Sequence, residues 1–296
     1  MQANLNKLTL ENFKVIYQMI VDHKPQTLKM YRDIIDLIYN KAITEQYFAS
    51  MYARLCRKLN ADYPEAIKKL LYTKETDGGF ICCEYGHAEA LCDPQPTADE
   101  ALAETLKQLS VRSILAVKCQ TEMVSEGRTV ELEKKRLELK AKTQSGDPKI
   151  IAEYMEVEFQ INTIRRRIFG NVRFIGELFN CGLLRMGTVI QACFDHLITP
   201  PDNADDEKTE ALCKLLTTVG KTMFNNAHFS SLLEEIMTKI EPLAESMSLT
   251  IRVRFAVRDL LDLAENDWES DQKEQLKKLS DMRMESTIKK LEGILE

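Results

Sequence analysis

The chain has 296 residues, of which 44% are hydrophobic and 29% are charged, and its formal net charge is -6 at pH 7. This composition is too apolar for a disordered chain, and the acidic excess excludes nucleic-acid binding through an overall positive charge. The N-terminus lacks the apolar region of a signal peptide and no run is long enough to cross a bilayer. The sequence therefore predicts a soluble, cytoplasmic protein that does not engage membranes.

Helical periodicity dominates the chain, because apolar residues recur at helical spacing and alternating strand patterns are nearly absent. The first predicted helix follows Thr9, a candidate N-cap, and places Phe13, Ile16 and Ile20 on one face. The later predicted helices cover residues 28–43, 45–60, 111–123, 187–198, 206–224, 229–247 and 249–265.

About ten helices of similar length, paired at a period of roughly forty residues, predict an all-α, HEAT-type helical-repeat solenoid with one continuous core. A compact helical bundle is the alternative. Two segments interrupt the pattern. Residues 73–100 are rich in Gly, Pro and acidic residues and predict an inserted loop. Residues 125–147 are charged with a thin apolar stripe, and predict a solvated helix or a mobile connection.

The inserted segment contains the cluster of metal-ligand residue types Cys82, Cys83, His87 and Cys92. Its spacing lacks the two separated ligand pairs of a zinc site, and the eight cysteines of the chain indicate reduced thiols. The four histidines are scattered, and neither glycine-rich phosphate-binding motif is present. We therefore expect no metal, no cofactor and no catalytic centre.

The stretch RRRIFGNVRFIGELF at residues 165–179 predicts one amphipathic helix. Ile168, Val172, Ile175 and Phe179 share one face, while Gly170 and Gly176 mark positions where a neighbouring backbone comes close. The residues Arg165, Arg166 and Arg167 at its start have two open interpretations, a solvated basic face or a contact with a partner or RNA.

A second basic row lies in IRVRFAVRDLLDL. Its helical spacing predicts that Val253, Val257, Leu260 and Leu261 point inward. Arg254 and Arg258 then share an outward face, with Arg252 close by and Arg258 paired with Asp262 at i,i+4. Trp268, the single tryptophan, follows this helix, and we expect it to cap the core of the last repeat.

Several segments in order resemble the middle domain of eukaryotic translation initiation factor 4G. They are LNKLTLENF, IIDLIYNKAI, FASMYARLCRKL, RRRIFGNVRFIGELF, LCKLLTTVGKTM, RVRFAVRDLLDL and NDW, and together they span most of residues 5–268. The resemblance implies a crescent of about five antiparallel helix pairs, followed by a charged tail at residues 269–296.

The resemblance also implies a function. It indicates a non-enzymatic scaffold in translation initiation that binds the DEAD-box RNA helicase, initiation factor 4A, with auxiliary RNA binding. By match to the family's motifs, the candidate contacts are Asn171, Arg173, Glu177, Arg252, Arg254 and Arg258. The tyrosine motif of the family that binds the cap-binding protein is absent, so such a partner would join through segments outside this chain.

Two other functions stay open at this point. A related middle domain acting in RNA surveillance, splicing or nuclear cap binding would share the fold but differ in its partners. A direct RNA-binding module would use the arginine rows as its footprint, and its affinity would fall steeply with salt.

Overall fold

The computed structural model describes residues 5–8, 12–123 and 127–269. Thr9, the expected N-cap of the first helix, and all of the expected tail at 269–296 except Glu269 lie outside these residues. The fold is an all-α helical repeat, as the sequence predicts, with one β-hairpin among the described residues. None of the described helices has both the length and the apolar composition that crossing a membrane requires.

The helices that the structure describes are numbered here in chain order. They are α1 (Phe13–Asp22), α2 (Leu28–Thr44), α3 (Ala49–Asp62), α4 (Pro64–Lys68), α5 (Ala98–Gln108), α6 (Val111–Met123), α7 (Gly127–Lys142), α8 (Pro148–Asn180), α9 (Gln191–Leu197), α10 (Asp206–Phe224), α11 (Ser230–Ile240) and α12 (Ile251–Glu265). The hairpin strands are β1 (Leu71–Thr76) and β2 (Gly79–Glu84). Short 3-10 turns lie at Gln46–Phe48, Thr143–Ser145, Pro201–Asn203 and Glu241–Glu245, and a π-helical turn lies at Met186–Ile190.

The chain divides into two compact units, Met1–His196 and Leu197–Glu296. Two of the predicted helices, 111–123 and 206–224, coincide with α6 and α10. The others differ at their ends, and before α3 and after α11 the difference is a 3-10 turn in place of α-helix. The predicted single domain over residues 5–268 stays a prediction.

The core of the first unit is built around the C-terminal half of α8, which packs against α2, α3 and α6. Ile168, Val172 and Ile175 are buried there, which confirms the inward face predicted from their spacing. Gly170 allows the closest approach, because a Cβ atom at this position would overlap the backbone carbonyl of Ile43 in α2. The prediction that this glycine is a packing position is confirmed.

The N-terminal half of α8 packs against α7 and forms a separate small core with it. Leu139, Val157 and Ile161 are buried in this core, and Leu132 and Ile150 pack partly against it. Of the two interpretations of residues 125–147, the helical one is therefore correct for Gly127–Lys142.

The first part of the expected loop at residues 73–100 is instead an antiparallel hairpin, in which Tyr72 pairs with Cys83 and Lys74 with Ile81, whereas residues 85–97 form neither helix nor strand. The sequence prediction was wrong because the strands are short and only one of them carries an apolar run. It also missed α5, whose start is marked by a capping box. The hydroxyl of Thr97 accepts from the backbone N–H of Glu100, and the Glu100 carboxylate accepts from the backbone N–H of Thr97.

In the second unit, α10 packs against α11 and α12. Trp268 is only 6% exposed, and its ring lies against Gly220 of α10, where a Cβ atom would overlap it. The expectation that the tryptophan closes the core after the last helix is confirmed, because its ring fills the space that this glycine leaves.

The cysteines allow a direct test of this packing. All eight thiols are unpaired and buried except Cys181, which is partly exposed. Burial raises the pKa of Cys193 and that of Cys213 to about 12, so neither thiol forms the reactive thiolate at pH 8. We expect at most one thiol per native chain to react rapidly with Ellman's reagent, and all eight to react in denaturant. Several rapidly reacting thiols in the native protein would contradict the buried positions.

Candidate partner-binding surfaces

Two of the three arginines that begin the 165–179 stretch are held by carboxylates of the same unit. The Arg165 guanidinium lies 2.9 Å from a carboxylate oxygen of Glu133 in α7. Arg167 donates from Nε and Nη2 to both oxygens of Glu122 in α6, at 2.8 and 3.1 Å. Arg165 and Arg167 stay predictions as partner or RNA contacts, although each guanidinium already forms an ion pair within the fold. Only Arg166 of the triplet is exposed.

We expect Arg167→Ala to lower the stability of the chain by about 1–2 kcal/mol, because the half-buried Glu122 would lose a bidentate partner. Arg166→Ala is the matched control, since the neighbouring side chain is exposed, and should change stability by less than about 0.5 kcal/mol. Urea denaturation of both variants measures the difference. Equal midpoints would show that the Arg167–Glu122 pair contributes little to folding.

Asn171 is fully buried and cannot touch a partner, so its assignment as a contact residue is wrong. Its side-chain oxygen accepts from the Tyr39 hydroxyl at 3.0 Å, and its side-chain nitrogen donates to the Cys119 carbonyl at 2.9 Å. Burial raises the pKa of Tyr39 well above its ordinary value, so the phenol stays a donor. Asn171 thus joins α2, α6 and α8 by hydrogen bonds inside the core.

Arg173 and Glu177 follow on α8, one and two turns after the helix passes Gly170. Both side chains are half-exposed, so both are available at the surface of the first unit. Arg173 and Glu177 stay predictions as partner contacts.

The second basic row lies on α12, whose buried face consists of Val253, Val257 and Leu260, as predicted. Leu261, which was also expected to point inward, is half-buried. The ion-pair partner of Arg258 is Glu245 at 2.8 Å, rather than the predicted Asp262. The tertiary fold brings Glu245 to this side chain from the turn before the helix.

Arg252 and Arg254 are also positioned by neighbours. Arg252 forms an ion pair with Glu210 of α10 at 2.8 Å, although its side chain remains 69% exposed. The Arg254 guanidinium lies 3.7 Å from the sulfur of Met247 and is half-exposed. Exposed pairs of this kind contribute little to stability, so these cations remain available to a partner.

An exposed apolar row lies beside these arginines, and sequence reasoning missed it. Ile251 is 64% exposed, Phe255 is 55% exposed, and Met247 just before the helix is 88% exposed. The guanidinium of Arg258 lies 5.6 Å from the centre of the Phe255 ring, within cation–π range. The sequence signal that could have revealed this row is the i,i+4 spacing of Ile251 and Phe255. This spacing places the two residues together on one helix face, which is not the face of Val253 and Val257. We call Met247, Ile251, Phe255 and Arg254 the α12 surface.

The Cys and His residues of the hairpin do not come together as a ligand set. Cys82, Cys83 and Cys92 are buried, whereas His87 is exposed. The thiol of Cys92 lies 3.6 Å from the Ala101 carbonyl, and that of Cys83 lies 3.8 Å from the Ala88 carbonyl. Within the described ranges, no group of three or more His, Cys, Asp or Glu residues is arranged to hold a metal ion.

The helices and the α12 surface together define an all-α helical-repeat protein that exposes apolar and basic side chains in rows on its helices. Residues 1–267 match the MIF4G domain, and the chain belongs to this family. The predicted resemblance to the middle domain of initiation factor 4G is confirmed.

Three similar proteins illustrate the relationship. Over 265 residues the chain is 28% identical to mouse "Eukaryotic translation initiation factor 4 gamma 1", which covers 89% of this chain and 14% of that protein. Over 285 residues it is 30% identical to "Eukaryotic translation initiation factor 4 gamma" of Dictyostelium discoideum, and this alignment covers 94% of this chain and 19% of that protein. The crystal structure of the MIF4G domain of Trypanosoma cruzi translation initiation factor EIF4G5 matches with a TM-score of 0.43 and 16% identity. The match covers 90% of this chain and 94% of that chain. The chain thus spans less than a fifth of the length of the two full-length relatives.

Proposed function

We propose that this chain acts as a non-enzymatic scaffold in translation initiation, in the cytoplasm, and binds a DEAD-box RNA helicase of the initiation factor 4A type. Membership of the MIF4G family supports the proposal, since the relatives that match along the chain are named as translation initiation factors. RNA binding is auxiliary, and a cap-binding protein joins through other segments.

The observation that carries the helicase contact is the α12 surface. It combines exposed Ile251 and Phe255 with the half-exposed Arg254 on one helix whose opposite face is buried. Hot spots of protein–protein interfaces are enriched in aromatic residues and arginine, so this arrangement suits a protein partner. Arg173 and Glu177 in the first unit are proposed as further contacts with the helicase.

The scaffold role is tested by mixing the purified chain with purified initiation factor 4A and measuring both binding and ATP hydrolysis. We expect co-elution in size-exclusion chromatography and a faster RNA-dependent ATPase rate. An unrelated DEAD-box helicase is the matched control and should show neither effect.

The same experiment distinguishes the alternative function. A chain that neither co-elutes with the helicase nor stimulates its ATPase would contradict the proposal. Recovery of decay, splicing or nuclear cap-binding factors in a pull-down, without initiation factors, would assign the chain to a related pathway with the same fold.

A further inference from the structure

The outward face of α3 carries three cationic side chains that the sequence comparison did not single out. Arg54, Arg57 and Lys58 are exposed, at the i, i+3 and i+4 spacing that places residues on one face of a helix. Leu55 and Leu59 on the opposite face are fully buried. Because the buried face fixes the orientation of α3, the three cations are held in a row, and we call them the α3 row.

No residue that the structure describes neutralises the charge of the α3 row. Asp62, at the last position, is the single acidic residue of α3. In the described part of the chain, none of the three cations forms an ion pair or a side-chain hydrogen bond. The four arginines Arg165, Arg167, Arg252 and Arg258 differ, since each faces a carboxylate at 2.8–2.9 Å. The α3 row therefore projects positive charge into solvent from an acidic protein.

An aromatic surface lies beside the row. The Lys58 ammonium is 4.6 Å from the centre of the Tyr17 ring in α1, and this cation–π contact holds the side chain in place. Tyr17 in turn stacks with Phe13, with ring centres 6.4 Å apart and planes within 2° of parallel. Both rings are half-exposed, and Lys14 on the same helix is exposed. Cations next to ring faces are the combination that single-stranded nucleic acids bind, through phosphates and stacked bases.

We propose that the α3 row, with Tyr17 and Lys14 of α1, is the surface on which this chain holds single-stranded RNA. The inference rests on the proposed function, because it assigns a place to the auxiliary RNA binding of the scaffold. It also places that role away from Arg165 and Arg167, whose guanidinium groups form ion pairs with Glu133 and Glu122. Phosphates would lie along the cations, and the rings would offer a sequence-tolerant stacking face.

The test measures fluorescence anisotropy of a labelled, unstructured 20-nucleotide RNA with the whole chain, over a range of salt concentrations. We expect the triple variant Arg54→Glu, Arg57→Glu, Lys58→Glu to bind at least tenfold more weakly than the parent. Loss of three phosphate contacts should also reduce the slope of log affinity against log salt by about 2. The neutral triple Arg54→Gln, Arg57→Gln, Lys58→Gln should show a smaller loss in the same direction, and it replaces the first variant if charge reversal impairs folding.

A matched control comes from Lys24, Lys29 and Arg32, which are also exposed in the first unit. Their triple replacement by Glu changes the net charge by the same amount, so equal losses in both variants would overturn the proposal in favour of a general charge effect. Absence of RNA binding by the parent chain would overturn it as well. If polyglutamate of similar length competes as well as RNA does, the row is a site for acidic polypeptides instead.

The same variants separate this inference from the proposed function. We expect the α3-row triple to co-elute with initiation factor 4A as the parent does. If the parent binds the helicase while RNA affinity is unchanged in the triple, only the RNA surface is wrong. If RNA binding depends on the α3 row but the parent chain does not bind the helicase, the proposed scaffold role is wrong and the RNA-binding surface is still supported.

Discussion

Gly170→Ala is expected to lower the free energy of unfolding by about 3 kcal/mol, the upper part of the range for overpacked cores. The added Cβ atom would overlap the backbone carbonyl of Ile43, which cannot move without displacing α2. Alanine otherwise favours a helix over glycine by about 1 kcal/mol, so a loss of stability cannot come from helix propensity. Thermal and urea unfolding of the whole chain measure the change.

Gly187→Ala is the matched control for this prediction, because nothing lies within 4 Å of the Cβ position at Gly187. This substitution should leave the unfolding midpoint unchanged or raise it. A Gly170→Ala protein that is as stable as the parent would show that α8 does not approach α2 as closely as described. The packing of the first-unit core would then need a different explanation.

The double variant Ile251→Glu, Phe255→Glu is expected to weaken binding of initiation factor 4A at least tenfold, or about 1.4 kcal/mol. Both side chains are more than half exposed, so the fold should tolerate the change with a melting midpoint near that of the parent. Arg254→Glu should act in the same direction, because it reverses a half-exposed charge on the same surface. Isothermal titration with the purified helicase measures the affinity.

The control for the α12 surface is an apolar pair of equal exposure elsewhere. Met155 and Phe159 of α8 are 63% and 65% exposed and also stand at i,i+4. Their replacement by Glu should leave helicase affinity unchanged. Equal losses in the two double variants would mean that α12 has no special role, and unfolding of the α12 variant would contradict its outward assignment.

The inward faces of α8 and α12 could be predicted from the sequence because helical spacing alone defines which side chains share a face. Ile168, Val172, Val253 and Val257 are all buried as their spacing predicts. Gly170 was predictable in the same way, since a glycine in an apolar helix indicates a close backbone approach.

The partner-binding residues were predicted less well, for a reason that Asn171 illustrates. A motif match shows that a residue fits the family pattern, but it does not show whether the residue lies in the core or at the surface. Asn171 fits the pattern, and its side chain is a buried amide that hydrogen-bonds to Tyr39 and Cys119. The exposed positions Ile251 and Phe255 were missed because apolar residues were expected inside.

By itself, the amino-acid sequence determined that this protein is a helical repeat of the MIF4G family, since periodicity and ordered motifs are local properties of the chain. Only the tertiary structure decided which charges are available to a partner. Arg167 and Glu122 are 45 residues apart in the chain, yet they form a bidentate pair, whereas Arg54 and Lys58 meet no carboxylate among the described residues. Ion pairing depends on distances across the fold, and these distances have no periodic signature in a sequence.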